Sequence, residues 1–228
     1  MWFGPNFLSL TVTFPGPNSS TWQLKEQISE NFDQSTQIEF QDFDMIPEVR
    51  GVFICSKVSG NGPKEAVMKV IMQIPWKGTE MQPAEKRKLQ RGMSESVYVE
   101  ALALERLTRA RCSSTPMLLG NKVVKQAEDM WVPGGYLGFI VMTRLPGVTI
   151  PCINRLSEQE AREMARSFKK AWFECHEAGV VPIDHGLWNL LWDAKHKKCY
   201  IVDFGEWIPS SDFGPWYDEL LLGWNLQE

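Results

Sequence analysis

The 228 residues predict an α+β chain of two lobes, the first rich in strands and the second led by a helix. Three observations carry this. Two β-rich runs, residues 49–58 and 66–74, flank the turn Ser59-Gly60-Asn61-Gly62-Pro63, which reads as a hairpin. A long amphipathic helix begins at Ser157. Short apolar runs at 190–192 and 199–202, joined by a polar turn, follow it.

Composition sets the frame. Apolar residues make up 43% and charged residues 23%, and ten Trp with twelve Phe give ample core material, so the composition is that of a globular chain. The net charge is −4 and no Lys/Arg stripe stands out, so neither nucleic acid nor a membrane surface is an expected partner. The five Cys have no CxxC spacing, which fits a reducing, cytoplasmic compartment with the nucleus also open. The apolar start carries no Lys or Arg and is broken by Pro5 and Pro15, a poor signal peptide, and no run approaches the ~20 residues that span a bilayer. Asn18-Ser19-Ser20 fits a glycosylation sequon, without meaning in that compartment.

Residues 1–36 mix Pro, Ser, Asn and Gln with few apolar residues, and are expected to form a loosely ordered extension with a short helix around 22–32. The first lobe follows over 37–143. After its hairpin, the basic stretch 77–92 reads as a solvated loop or helix face. A helix is expected over 94–109, because Val97, Ala101, Leu104 and Leu107 recur at helical spacing. Residues 123–125 and 137–142 read as strands, with a turn at Pro133-Gly134-Gly135, and residues 143–147 read as a hinge.

The second lobe covers 144–228. Its long helix has a Ser157/Glu160 capping box and an apolar stripe of Ala161, Met164, Ala165, Phe168, Ala171, Trp172 and Cys175, closed by Gly179. A last helix is expected over 215–226.

Three pieces carry chemistry. Lys69 lies inside an apolar strand, where a buried ammonium needs an anionic partner. Asp184 and Asn189 stand five residues apart in a loop that precedes an apolar strand, so that one carboxylate and one amide are held together. Asp203 ends an apolar strand and is followed by Phe204 and Gly205, a suitable place for a carboxylate that binds Mg²⁺. Each alone also reads as an ordinary surface lysine or a capped turn.

In this order and spacing the pieces resemble the protein-kinase signature set over roughly residues 40–220: the strand lysine, the catalytic loop and the Asp-Phe-Gly turn. The likeness is nearest to the compact phosphotransferase branch, with aminoglycoside and choline kinases and small fungal kinase-like proteins. It implies a two-lobed protein-kinase-like fold with a short, truncated helical C-lobe, and ATP and Mg²⁺ as cofactors. Lys69 would contact the α- and β-phosphates, paired with Glu100 (Glu95 as the alternative). Asp184 would be the catalytic base, and Asn189 and Asp203 the metal ligands. Gly51 and Met142 would line the nucleotide site. The acceptor would be a small-molecule or protein hydroxyl.

The sequence departs from that pattern in three places. Only Gly51 stands where a glycine-rich loop is expected, Pro182 replaces a loop-bracing His, and 23 residues follow Gly205. His185 reads as solvent-facing or capping, and a second Asp-Phe-Gly at 212–214 as coincidence. These departures support the alternative, a pseudokinase acting as a non-catalytic binding or scaffold module.

Overall fold

The computed structural model describes residues 1–16, 19–93 and 95–226, so Asn18 of the sequon and Ser94, the expected helix start, lie outside the described residues. The chain divides into two compact units, Met1–Val97 with Leu119–Thr143, and Tyr98–Leu118 with Arg144 onward. The first lobe was expected to contain all of 37–143, but Tyr98–Leu118 belongs with the second unit.

The first unit is built on a six-stranded sheet. Its strands are β1 (Thr11–Phe14), β2 (Ser20–Asp33), β3 (Glu48–Gly60), β4 (Glu65–Gln73), β5 (Leu118–Lys125) and β6 (Tyr136–Thr143), in the order β1-β2-β3-β4-β6-β5. Two short helices, α1 (Gln37–Phe43) and α2 (Ala84–Arg87), lie in the connections after β2 and β4. Lys69 stands opposite Val52 and Ile140, whereas Gly51 stands opposite Val70. Successive residues of a strand point to opposite faces, so Lys69 and Gly51 face opposite sides of the sheet. The face of Val70 carries the core: Phe53, Met68, Met72, Leu137, Phe139 and Val141 are buried there.

The start of the chain covers that core and is not a loose extension. Phe3, Val12, Phe14, Trp22 and Leu24 are all buried in the same cluster. Each large side chain removed from water contributes about 1.5–3 kcal/mol, which orders the segment. The expected helix at 22–32 is strand β2. Trp22, Leu24, Ile28 and Phe32 allow a helical reading, but Trp22 and Leu24 alternate with half-buried Gln23, and β2 pairs with β3 along its length through three register shifts.

The second unit holds α3 (Ser96–Arg109) from Tyr98 on, α4 (Glu158–Glu177), the short pairs β7 (Val181–Pro182) with β10 (Trp207–Ile208) and β8 (Leu190–Asp193) with β9 (Lys198–Ile201), and α5 (Leu220–Gly223). In α4, Ser157 accepts from the Glu160 amide while Glu160 accepts from that of Ser157, satisfying two otherwise orphaned donors. Its stripe buries Ala161, Met164, Phe168, Ala171, Trp172 and Cys175. Gly179 beyond its end has φ of 80°, a conformation that costs glycine little. The last helix is a single turn, not 215–226: Trp216 and Tyr217 lie ahead of it, with the Trp216 indole donating to Asp218.

Candidate active site

The second unit builds its polar corner from two hairpin-like pairs. Strand β7 leads into the loop, and the Ile183 amide donates to the Glu206 carbonyl at 3.1 Å, so the two ends of the site segment are tied beside the β7–β10 pair. A one-turn 3-10 helix over Leu187–Asn189 then delivers Asn189 to the base of β8.

Asn189 is buried, and its amide nitrogen donates to the Asp184 carboxylate at 2.8 Å and to the Asp184 carbonyl at 3.0 Å. A side-chain amide has two N–H donors, so both are used on one residue. The amide oxygen is left for another partner. Here the five-residue separation read in the sequence becomes a direct contact.

Asp203 reaches the same end of the hairpin by register. Leu190 pairs with Ile201, and the Val202 amide donates to the Asn189 carbonyl at 2.9 Å, so Asp203 follows directly on the residue bonded to Asn189. Asp203 is exposed and has φ of 61°, the left-handed region that a non-glycine residue rarely adopts. Phe204 beside it is fully buried, and the Gly205 amide donates to an Asp203 carboxylate oxygen at 3.2 Å. A buried aromatic anchor and a backbone donor thus hold the carboxylate in a strained pose, of the kind that marks functional sites.

The remaining expected residues fall as follows. Lys69 is buried in β4 of the first unit, and Met142 in β6 is on the same sheet face, opposite Val67. Glu100 is buried in α3, whereas Glu95 is exposed ahead of it. Gly51 differs from expectation. A Cβ there would lie 2.5 Å from the Phe3 ring and 2.7 Å from the Phe53 ring, so it is a packing glycine under the aromatic cover. The connection where a glycine loop belongs in the strand order is 34–47, between β2 and β3. It carries no glycine and contains α1, capped reciprocally by Thr36 and Glu39.

His185 is half-buried, not solvent-facing. Its ring lies 5.3 Å from that of Trp224, and a Cβ on Gly223 would meet its Nδ1 at 2.9 Å. Burial lowers its pKa, opposed by the Asp184 charge and a hydrogen bond to the Pro182 carbonyl. Sequence reasoning missed Trp224 and Trp207. Trp207 donates to the Val99 carbonyl at 3.0 Å and lies under the Arg106 guanidinium, tying α3 to the segment after Asp203. Its aromatic type in a polar run was the only signal. The second Asp-Phe-Gly sits in a 3-10 turn, with Phe213 packed near Trp172.

No helix among the described residues is long and apolar enough to cross a membrane. No family model and no curated protein matches the sequence. Solved structures are similar in shape at low sequence identity. The kinase PK-1 of the Cydia pomonella granulovirus is 16% identical, with 82% of this chain and 52% of that one covered at a TM-score of 0.44. Vaccinia related kinase 3 is 12% identical, with 88% and 51% covered at 0.47. The chain thus spans about half the length of the solved kinases it matches. The β-rich unit holds the buried strand lysine, and the second unit holds the Asp184–Asn189 loop and the Asp203-Phe204-Gly205 turn, the pieces on which the sequence's likeness to protein kinases rests.

Proposed function

We propose that the chain is a phosphotransferase that uses ATP and Mg²⁺ and passes a phosphoryl group to a hydroxyl. The observation that carries this is the double hydrogen bond from Asn189 to Asp184, with Asp203 held at the same end of the hairpin. Phosphoryl transfer needs positioning and charge neutralisation more than covalent chemistry. Asp184 would orient the attacking hydroxyl and accept its proton. Lys69 would meet the α- and β-phosphates, with Glu100 as its carboxylate partner.

The donor set fits a hard cation. The Asn189 amide oxygen and the Asp203 carboxylate are oxygen ligands of the type Mg²⁺ takes, with water and phosphate oxygens filling its octahedron. Among the described residues no group of three or more His, Cys, Asp or Glu is gathered to hold a metal, so a metal held by this pair would depend on the nucleotide. Mg²⁺ supplies charge neutralisation on the phosphates when bound.

The connection at 34–47 favours a second reading, a pseudokinase that binds a protein partner without turnover. Backbone amides freed by glycine approach phosphates closely, and a capped helix in that place lacks them. Thermal shift separates intact from degenerate sites: ATP with Mg²⁺ raises Tm under the first reading, and ATP with EDTA does not. ATP turnover then separates enzyme from binding module.

A further inference from the structure

The sheet face opposite Lys69 carries a feature that phosphoryl transfer does not use. Between the start of the chain and the loop before β6 lies a cavity of about 550 Å³. That volume is within the range of small-molecule sites, ~300–1,000 Å³. Its walls include the rings of Trp2, Phe7 and Trp131 and the side chains of Leu10 and Leu137. Trp2 and Trp131 meet edge to face at 4.8 Å, and the Trp131 indole donates to the Trp2 carbonyl at 2.9 Å. The Trp2 amide donates to Glu30 at 2.9 Å, so both aromatic walls are fixed.

Among the described residues one cationic side chain lines this mostly apolar space, and the Met1 ammonium at its edge lies 3.8 Å from the Glu30 carboxylate. Arg87, half-buried at the end of α2, donates through Nε to the Gln82 carbonyl and through Nη1 to the carbonyls of Met130 and Trp131. Guanidinium has five donors, and Nη2 holds two of them. Among the described residues Nη2 has no partner, and Arg87 has no carboxylate in ion-pair range. Asp129 also lines the cavity but is exposed, so water reduces its repulsion of a bound anion to a few-fold effect without cancelling it. A half-buried guanidinium with a spare edge beside aromatic walls is complementary to an anion with an apolar body.

We propose that this cavity binds a small apolar carboxylate, with its body among Trp2, Phe7 and Trp131 and its carboxylate on Arg87. None of the lining residues belongs to the proposed catalytic set, so the inference stands apart from the phosphotransferase reading.

The test uses the full chain without nucleotide, read by calorimetry and by tryptophan fluorescence. The probes are 2-naphthoate, its neutral amide and decanoate. Saturable binding of 2-naphthoate, with the amide about tenfold or more weaker, is expected for a charge-assisted contact. Decanoate binding as tightly as 2-naphthoate would assign an aliphatic acid, and weaker binding an aromatic one. Arg87→Gln should weaken the preferred acid about tenfold or more while leaving the amide unchanged. Asp129→Asn should tighten it by about two- to fivefold, and this variant decides the matter should Arg87→Gln not fold. Equal binding of acid and amide, no saturable binding of either acid, or unchanged acid affinity in the deciding variant would overturn the proposal.

Discussion

The corner around Asn189 and the connection at 34–47 stand differently against the kinase pattern that the sequence resembles: the first keeps it and the second does not. In the corner, the spacing of Asp184, Asn189 and Asp203 is kept, and backbone and side-chain hydrogen bonds fix all three. In the connection, a capped α1 occupies the place of a glycine loop. Holding a metal needs a few oxygens on a rigid frame, and a hairpin end supplies that locally. Cradling phosphates needs bare backbone amides, and here the Thr36–Glu39 capping box takes up the amides of Thr36 and Glu39. On the phosphotransferase reading the first set of groups is present and the second is not, which predicts weak ATP binding and slow turnover.

Four changes would break or sharpen this contrast. The largest effect is expected for Asp184→Asn. Its amide oxygen can still accept from Asn189, so the loop stays in place while the base is lost, and turnover should fall by about 10²–10⁴-fold in a steady-state assay. An unchanged rate would place the base elsewhere.

Asn189→Asp comes next. It replaces both donors with an acceptor facing the Asp184 carboxylate, in a position only 4% exposed. Loss of the bonds to Asp184 should cost about 1–3 kcal/mol in denaturant unfolding.

Gly51→Ala should lower stability by about 1–3 kcal/mol through the Phe3 and Phe53 rings, leaving KM for ATP unchanged. A raised KM with unaltered Tm would return Gly51 to the nucleotide site.

The smallest effect is the pH dependence from His185. Its pKa in the folded chain is lowered from 6.5, so the neutral form is favoured. The stability this gives is present above pH 6.5 and is lost as pH falls through the lowered value. Tm should drop over that acidic range, and His185→Gln should flatten the drop. An equal slope in both proteins would mean that other groups cause it.

The sequence made some parts of this structure plain and hid others for physical reasons. The α4 stripe was legible because every third or fourth residue from Ala161 to Cys175 is apolar and a capping box marks its start. The Asp184–Asn189 pair was legible because its geometry is local. The role of residues 1–36 was not, because Phe3 gains burial against Phe53 of β3, distant in sequence, and half of β2 is polar. Gly51 was misplaced for a related reason: the face of a strand residue depends on register, which a single sequence does not reveal. The missing helix at 215–226 reflects Pro215 and the aromatic packing of Trp216 on Trp172 and Phe168.

The most direct test of the central claim is ATP turnover by purified wild-type protein and Asp203→Asn, each with Mg²⁺ and with EDTA. Asp203→Asn keeps the side-chain shape but removes the charge held beside Gly205. Slow turnover in the wild type that needs Mg²⁺ and falls about 100-fold or more in the variant is the predicted result. Equal turnover in the two proteins, or none in either, would contradict it and leave the binding-module reading in its place.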